Sequence, residues 1–190
     1  LTCPFSGTLS SDRTITLAQS PCVLGSVTVN NGVTLTIQPG VIVKMSTTTT
    51  RITVNGTLDA QGTASQNIIF TSLRDDVGGD TNGDMGATAP DKGDWEFIRA
   101  RSGSVTNLTH ATVQFGGGIL GSSATLNLNQ SKMTNNSGAN LTTFGLTSIS
   151  QSDFSNASGG ISHGSGALTL NNQIRTISPI TIVLKNFNDM

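Results

Sequence analysis

The sequence predicts an all-β protein, a single solenoid domain over residues 1–190 with an acidic loop insertion at 74–94. Three observations carry this reading. Short β-branched runs follow one another between Gly, Asn and Pro separators, and a degenerate repeat of about 20 residues runs through the second half. Charged residues make up only 11% of the chain, against about 25% in ordinary globular domains. The polar positions are filled instead by Thr, Ser and Asn, which suits stacked strands joined by tight turns.

The first elements are Val27-Thr28-Val29, Val33 to Ile37, Val41-Ile42-Val43, Ile52-Thr53-Val54 and Ile68-Ile69-Phe70. Between them stand Asn30-Asn31-Gly32, Pro39-Gly40, Asn55-Gly56 and Gln61-Gly62. No window of about 11 residues follows the 3.6 period, so no long helix is expected. Strands this short suit the rungs of a solenoid better than a sandwich, where about five to six residues is common.

In the second half, Leu108, Leu128, Ile149 and Leu170 fall about 20 to 21 residues apart. Five residues after the first three anchors come Val113, Met133 and Phe154, each followed by a turn containing glycine. Leu126, Thr147 and Leu168 stand two residues before the later anchors, the alternation of a half-buried strand. Coils of this length, stacked at roughly 4.8 Å, bury one aliphatic column and lend each other backbone partners.

Val33-Thr34-Leu35-Thr36-Ile37-Gln38-Pro39-Gly40-Val41-Ile42-Val43-Lys44 resembles the opening coil of β-helix regions in secreted bacterial and archaeal surface proteins, a pectate-lyase-like architecture. Val54 to Ala64, then Ile68 to Ser72, are similar to that group's next coils. The likeness runs on to Gly93-Asp94-Trp95, where Glu96 replaces the glycine the group commonly has. The resemblance implies a right-handed parallel β-helix. It says little about activity, because such regions occur in adhesins, sheath-like proteins and carbohydrate-active proteins alike.

Charge and composition narrow the function. The net charge is −1 with no run of Lys or Arg in the sequence, so nucleic-acid binding has no electrostatic footprint. No stretch of about 18 apolar residues is present, and no membrane span is expected. A chain that begins at Leu1 reads as a mature secreted product. Cys3 and Cys22 lack partners at zinc-ligand spacing and are expected to form a disulfide across an N-terminal cap segment, residues 1–22. Sequons at Asn55, Asn107, Asn129, Asn135, Asn140 and Asn156 fit the same extracellular, cell-surface setting.

Six of the eleven acidic residues lie between Asp75 and Asp94. Asp80, Asn82 and Asp84 place side-chain oxygens at alternate positions, the spacing with which a loop wraps a hard cation. Counting Asp80 as the first ligand, the Gly86 carbonyl and Asp91 take later positions, and Asp75 and Asp76 complete the shell. Calcium in a structural role is expected. Met85 stands where an EF-hand has its turn glycine, so the loop is not a full EF-hand.

No catalytic residues are assigned. Asp75-Asp76 and His163-Gly164 resemble fragments of the polygalacturonase pattern, but Arg175 is followed by Thr176-Ile177 where an Arg-x-Lys element is needed. Arg74, Arg99 and Arg101 keep a lyase open, and the alternative function is a carbohydrate-active protein that binds polysaccharide or cleaves it as a lyase or hydrolase. The expected function is a structural or adhesive surface protein. Its expected partners are copies of itself, through terminal strands such as Ile180 to Leu184, and surface polysaccharide.

Overall fold

The structure, a computed structural model, describes residues 3–171. It is a parallel β-solenoid with almost no helix. Each coil lays one strand on each of three sides. The first side stacks β1 (Phe5–Leu9), the end of β3 (Cys22–Val29), β6 (Arg51–Val54), β9 (Phe97–Ala100), the first parts of β12 (Ile119–Asn129) and β14 (Ala139–Ser150), and β16 (Gly159–Ser165). The second side stacks β2 (Arg13–Ile15), β4 (Thr34–Ile37), β7 (Thr57–Gln61), β10 (Val105–Thr109), the later parts of β12 and β14, and β17 (Leu168–Asn171). The third side stacks the start of β3, β5 (Ile42–Met45), β8 (Ile68–Ser72), β11 (Ala111–Gln114), β13 (Lys132–Thr134) and β15 (Asp153–Ser155).

The repeat anchors are true register partners. Leu108 pairs with Leu128, Leu128 with Ile149 and Ile149 with Leu170, extending the column Ile15–Ile37–Ala60 from below. Val113, Met133 and Phe154 continue the column Cys22–Val43–Phe70 on the third side. Alternation along each strand sends these side chains inward, where all except Leu170, exposed on the last described coil, are buried in one continuous core.

The corners rely on left-handed residues as well as glycine. Between the second and third sides, His110, Gln130 and Gln151 have φ of 43°, 47° and 45° in successive coils. Between the third and first sides, Phe115, Asn135 and Asn156 do the same at 62°, 54° and 51°. Such conformations cost an L-residue roughly 1–2 kcal/mol, and the stacked hydrogen bonds on both sides offset it.

Buried polar residues line the corners. Ser131 Oγ accepts from Ala111 N at 3.2 Å and donates to the Asn129 carbonyl at 2.9 Å, and Ser152 Oγ accepts from Ser131 N at 3.1 Å. Asn136 Oδ1 accepts from Gly116 N at 3.0 Å, while its Nδ2 donates to the Val113 carbonyl at 3.2 Å and to Asn140 Oδ1 at 2.8 Å. These turn amides would otherwise be buried without partners.

The N-terminal segment winds as the first coil. β1 pairs with β3 and β2 with β4, and the Cys3–Cys22 disulfide ties this coil to the one above.

Candidate metal centre and the surfaces around it

The acidic insertion leaves the solenoid after β8 and returns at β9, the corner between the third and first sides. It lies across the outward face of the third side. Gly78 sits so close to that face that a Cβ there would stand 2.5 Å from Ile42 Cδ1. Lys44 is fully buried beneath it and donates from Nζ to the Gly79 carbonyl at 2.6 Å. Burial pushes the Lys44 ammonium pKa down, partly offset by the negative charges of Asp75, Asp76 and Asp80.

Both ends of the insertion are fastened. Asp75 Oδ2 accepts from Thr71 Oγ1 at 2.5 Å and Gln114 Nε2 at 2.9 Å, and its Oδ1 accepts from Val77 N at 3.1 Å. Asp94 accepts from Ser72 Oγ at 2.7 Å and pairs with the Arg74 guanidinium at 3.4 Å. Trp95 is buried against Gly116, with Nε1 donating to the Gln114 carbonyl at 2.8 Å. It is an anchor for the returning chain rather than a platform for a sugar ring.

In the middle of the loop, oxygens of Asp76, Asp80 and Asp84 lie within 4.8 Å of one another. Asp80 Oδ1 accepts from Gly83 N at 2.7 Å and Asn82 N at 3.2 Å, and its Oδ2 accepts from Met85 N at 2.9 Å. The bonds from Met85 and Gly83 hold its carboxyl below the ordinary carboxylate range. Asp84 is held low as well, first by the Thr88 hydroxyl and then by the Gly86 amide and Asn82. Three ionised carboxylates kept this close repel one another unless a cation offsets them, and oxygen donors of this kind suit a hard divalent ion. The cluster could hold a metal ion.

Of the residues expected to share a cation, Asp76, Asp80 and Asp84 converge. Asn82 flanks them, its Nδ2 donating to Asp84 Oδ2 at 2.8 Å and its Oδ1 accepting from Asp84 N at 3.4 Å. The Gly86 amide is bound to Asp84. Asp75 is committed to Thr71 and Gln114. Asp91 Oδ1 accepts from Lys92 N at 2.7 Å, outside the cluster.

Beside the cluster a groove of about 420 Å³ runs between the insertion and the Ser46–Thr48 turn, with Met45 and Leu73, Arg74 and Asp84 among its lining residues. His163 lies inside the core with Nε2 3.1 Å from the Gly166 carbonyl, while His110 occupies a corner far along the chain. Among the sequons, Asn140 is fully buried, with Nδ2 donating to the Ser155 carbonyl at 3.2 Å. Asn156 is exposed, and Asn55, Asn107, Asn129 and Asn135 are partly so.

Sequence reasoning missed three features. Lys44 reads as a surface residue, because nothing local announces the loop that covers it. Asn136 and Asn140 look like ordinary turn residues. Arg51, Arg99 and Arg101 are not neighbours as a run, yet β6 and β9 bring them to one outward face.

No helix among the described residues is long and apolar enough to cross a membrane. No curated protein and no solved structure matches the chain. Residues 7–89, from the first coil into the acidic insertion, match the family model of the pectate-lyase-like beta helix domain, in agreement with the parallel solenoid.

Proposed function

We propose that the chain is an extracellular, non-catalytic structural or adhesive module of a cell surface, with calcium stabilising its insertion. The observation that carries this is the convergence of Asp76, Asp80 and Asp84 in a loop whose end aspartates, Asp75 and Asp94, are spent on fastening it to the coils. An ion at the cluster stiffens a loop that packs over Ile42 and Lys44, and so protects the third side. The disulfide and the family match are consistent with an extracellular location. Copies are proposed to meet end to end through strand edges of the solenoid. The terminal strand Ile180 to Leu184 lies outside the described residues.

Calcium titration tests the proposal. A ligand present at about 100 times its Kd stabilises by about 2.7 kcal/mol, so Tm should rise with calcium and fall back with chelator. Asp80→Asn with Asp84→Asn should abolish the response. A Tm indifferent to calcium overturns the metal role.

A second reading is a carbohydrate-active protein, favoured by the family match and by the groove that Asp84 shares with the cluster. Incubation with pectin, alginate and similar polymers, followed by ultraviolet absorbance of unsaturated products and by affinity gels, separates the two. Turnover of any polymer would replace the non-catalytic reading.

A further inference from the structure

Charge is divided unevenly along this chain. The stretch from Asp75 to Asp94 holds six aspartates against one lysine, a net of −5, so the rest of the chain carries +4. The fold turns that division into two faces. The insertion spreads over the third side, with Asp76, Asp80 and Asp91 exposed. The outward face of the first side presents Arg51 on β6 and Phe97, Arg99 and Arg101 in alternate positions along β9 and just past it. Arg51 is the register partner of Phe97, which sets Arg99 on its diagonal. The Arg99 guanidinium stands 5.9 Å from the Phe97 ring centroid, and its Nε has no hydrogen-bond partner. Arg51 pairs with Glu96, and Arg74 with Asp94; no aspartate of the insertion pairs with Arg51, Arg99 or Arg101 among the described residues. The molecule thus holds complementary charge on two sides that do not neutralise each other.

We propose that the arginine face of β6 and β9 docks the acidic insertion of a second copy, side to side. The patches differ, so the contact is heterologous and repeats from copy to copy without closing. With Arg74 counted, the insertion over residues 74–94 carries −4, and one bound divalent cation leaves −2, so the complementarity survives metal binding. The inference shares with the proposed function only the idea that copies associate; it uses neither the strand edge nor the metal.

Sedimentation velocity on the full chain tests it. Wild type should self-associate near 0.01 M salt and weaken at least severalfold by about 0.15 M, as the Debye length falls from roughly 30 to 8 Å. Arg99→Glu with Arg101→Glu should sediment as a monomer, and so should Asp76→Lys with Asp91→Lys, which leaves the Asp80 and Asp84 turn bonds intact. Mixing the two double variants should restore association, since each supplies the charge the other lacks; restoration also shows that both are folded. A wild type that stays monomeric at low salt overturns the inference, as does a mixture that stays monomeric. Association that resists salt and the Arg99/Arg101 changes assigns the contact to strand edges, which sinks this inference and leaves the proposed function standing. Retention of an acidic polysaccharide by monomeric protein, lost with Arg99→Glu and Arg101→Glu, gives the face to a glycan instead.

Discussion

Thr106 offers a direct test of how the interior column is held. Its side chain points inward between Leu58 and Leu126, is fully buried, and its Oγ1 has no hydrogen-bond partner. Thr106→Val keeps the branched shape and the strand preference while replacing a desolvated hydroxyl with a methyl group. A buried polar group left unmade costs about 1–3 kcal/mol, so the substitution should stabilise by about 1–2 kcal/mol once imperfect packing of the methyl is allowed for. In a chain of this size that corresponds to a Tm rise of roughly 3 to 6 °C. Scanning calorimetry or far-ultraviolet circular dichroism reads it. Thr147→Val is the contrasting change. Thr147 occupies the next level but one of the same column, and its hydroxyl lies 2.7 Å from that of Thr143. Valine there should destabilise by about 1–3 kcal/mol because the Thr143 hydroxyl is stranded. If Thr106→Val lowers Tm, or if the two variants shift it in the same direction, the reasoning from interior hydroxyl pairing is refuted.

Two further outcomes follow from the corners and the loop. Asn136→Ala removes the acceptor for Gly116 N and the donor to the Val113 carbonyl and Asn140; it should cost about 3 kcal/mol or more, measured as a drop in the chemical-denaturation midpoint. Asp80 and Asp84 have folded pKa values below the ordinary 3.8. Their contribution to holding the loop is therefore present above 3.8 and lost as pH falls through the depressed values. Proteolysis by an acid-active protease should cut the insertion more readily below that point while the coils stay intact, and cleavage that does not change with pH would contradict it.

The sequence by itself determined the solenoid. Leu108, Leu128, Ile149 and Leu170 reveal their spacing without any structure, because a strand that must send alternate side chains into a shared core repeats its apolar pattern at the length of one coil. The pairing of Cys3 with Cys22 and the concentration of aspartates in one loop were legible for a similar reason: both are local in the chain. The tertiary structure decided which groups meet across coils. Only the fold of the insertion onto the third side buries Lys44 against Gly79, draws Asp75 and Asp94 away from the other carboxylates and leaves Asp76, Asp80 and Asp84 together. Only the register of β6 and β9 sets Arg51 beside Arg99 and Arg101, residues separated in the chain by β7, β8 and the acidic insertion. Periodicity records what each strand needs from the core, whereas a loop's resting place depends on contacts with side chains that no periodicity marks.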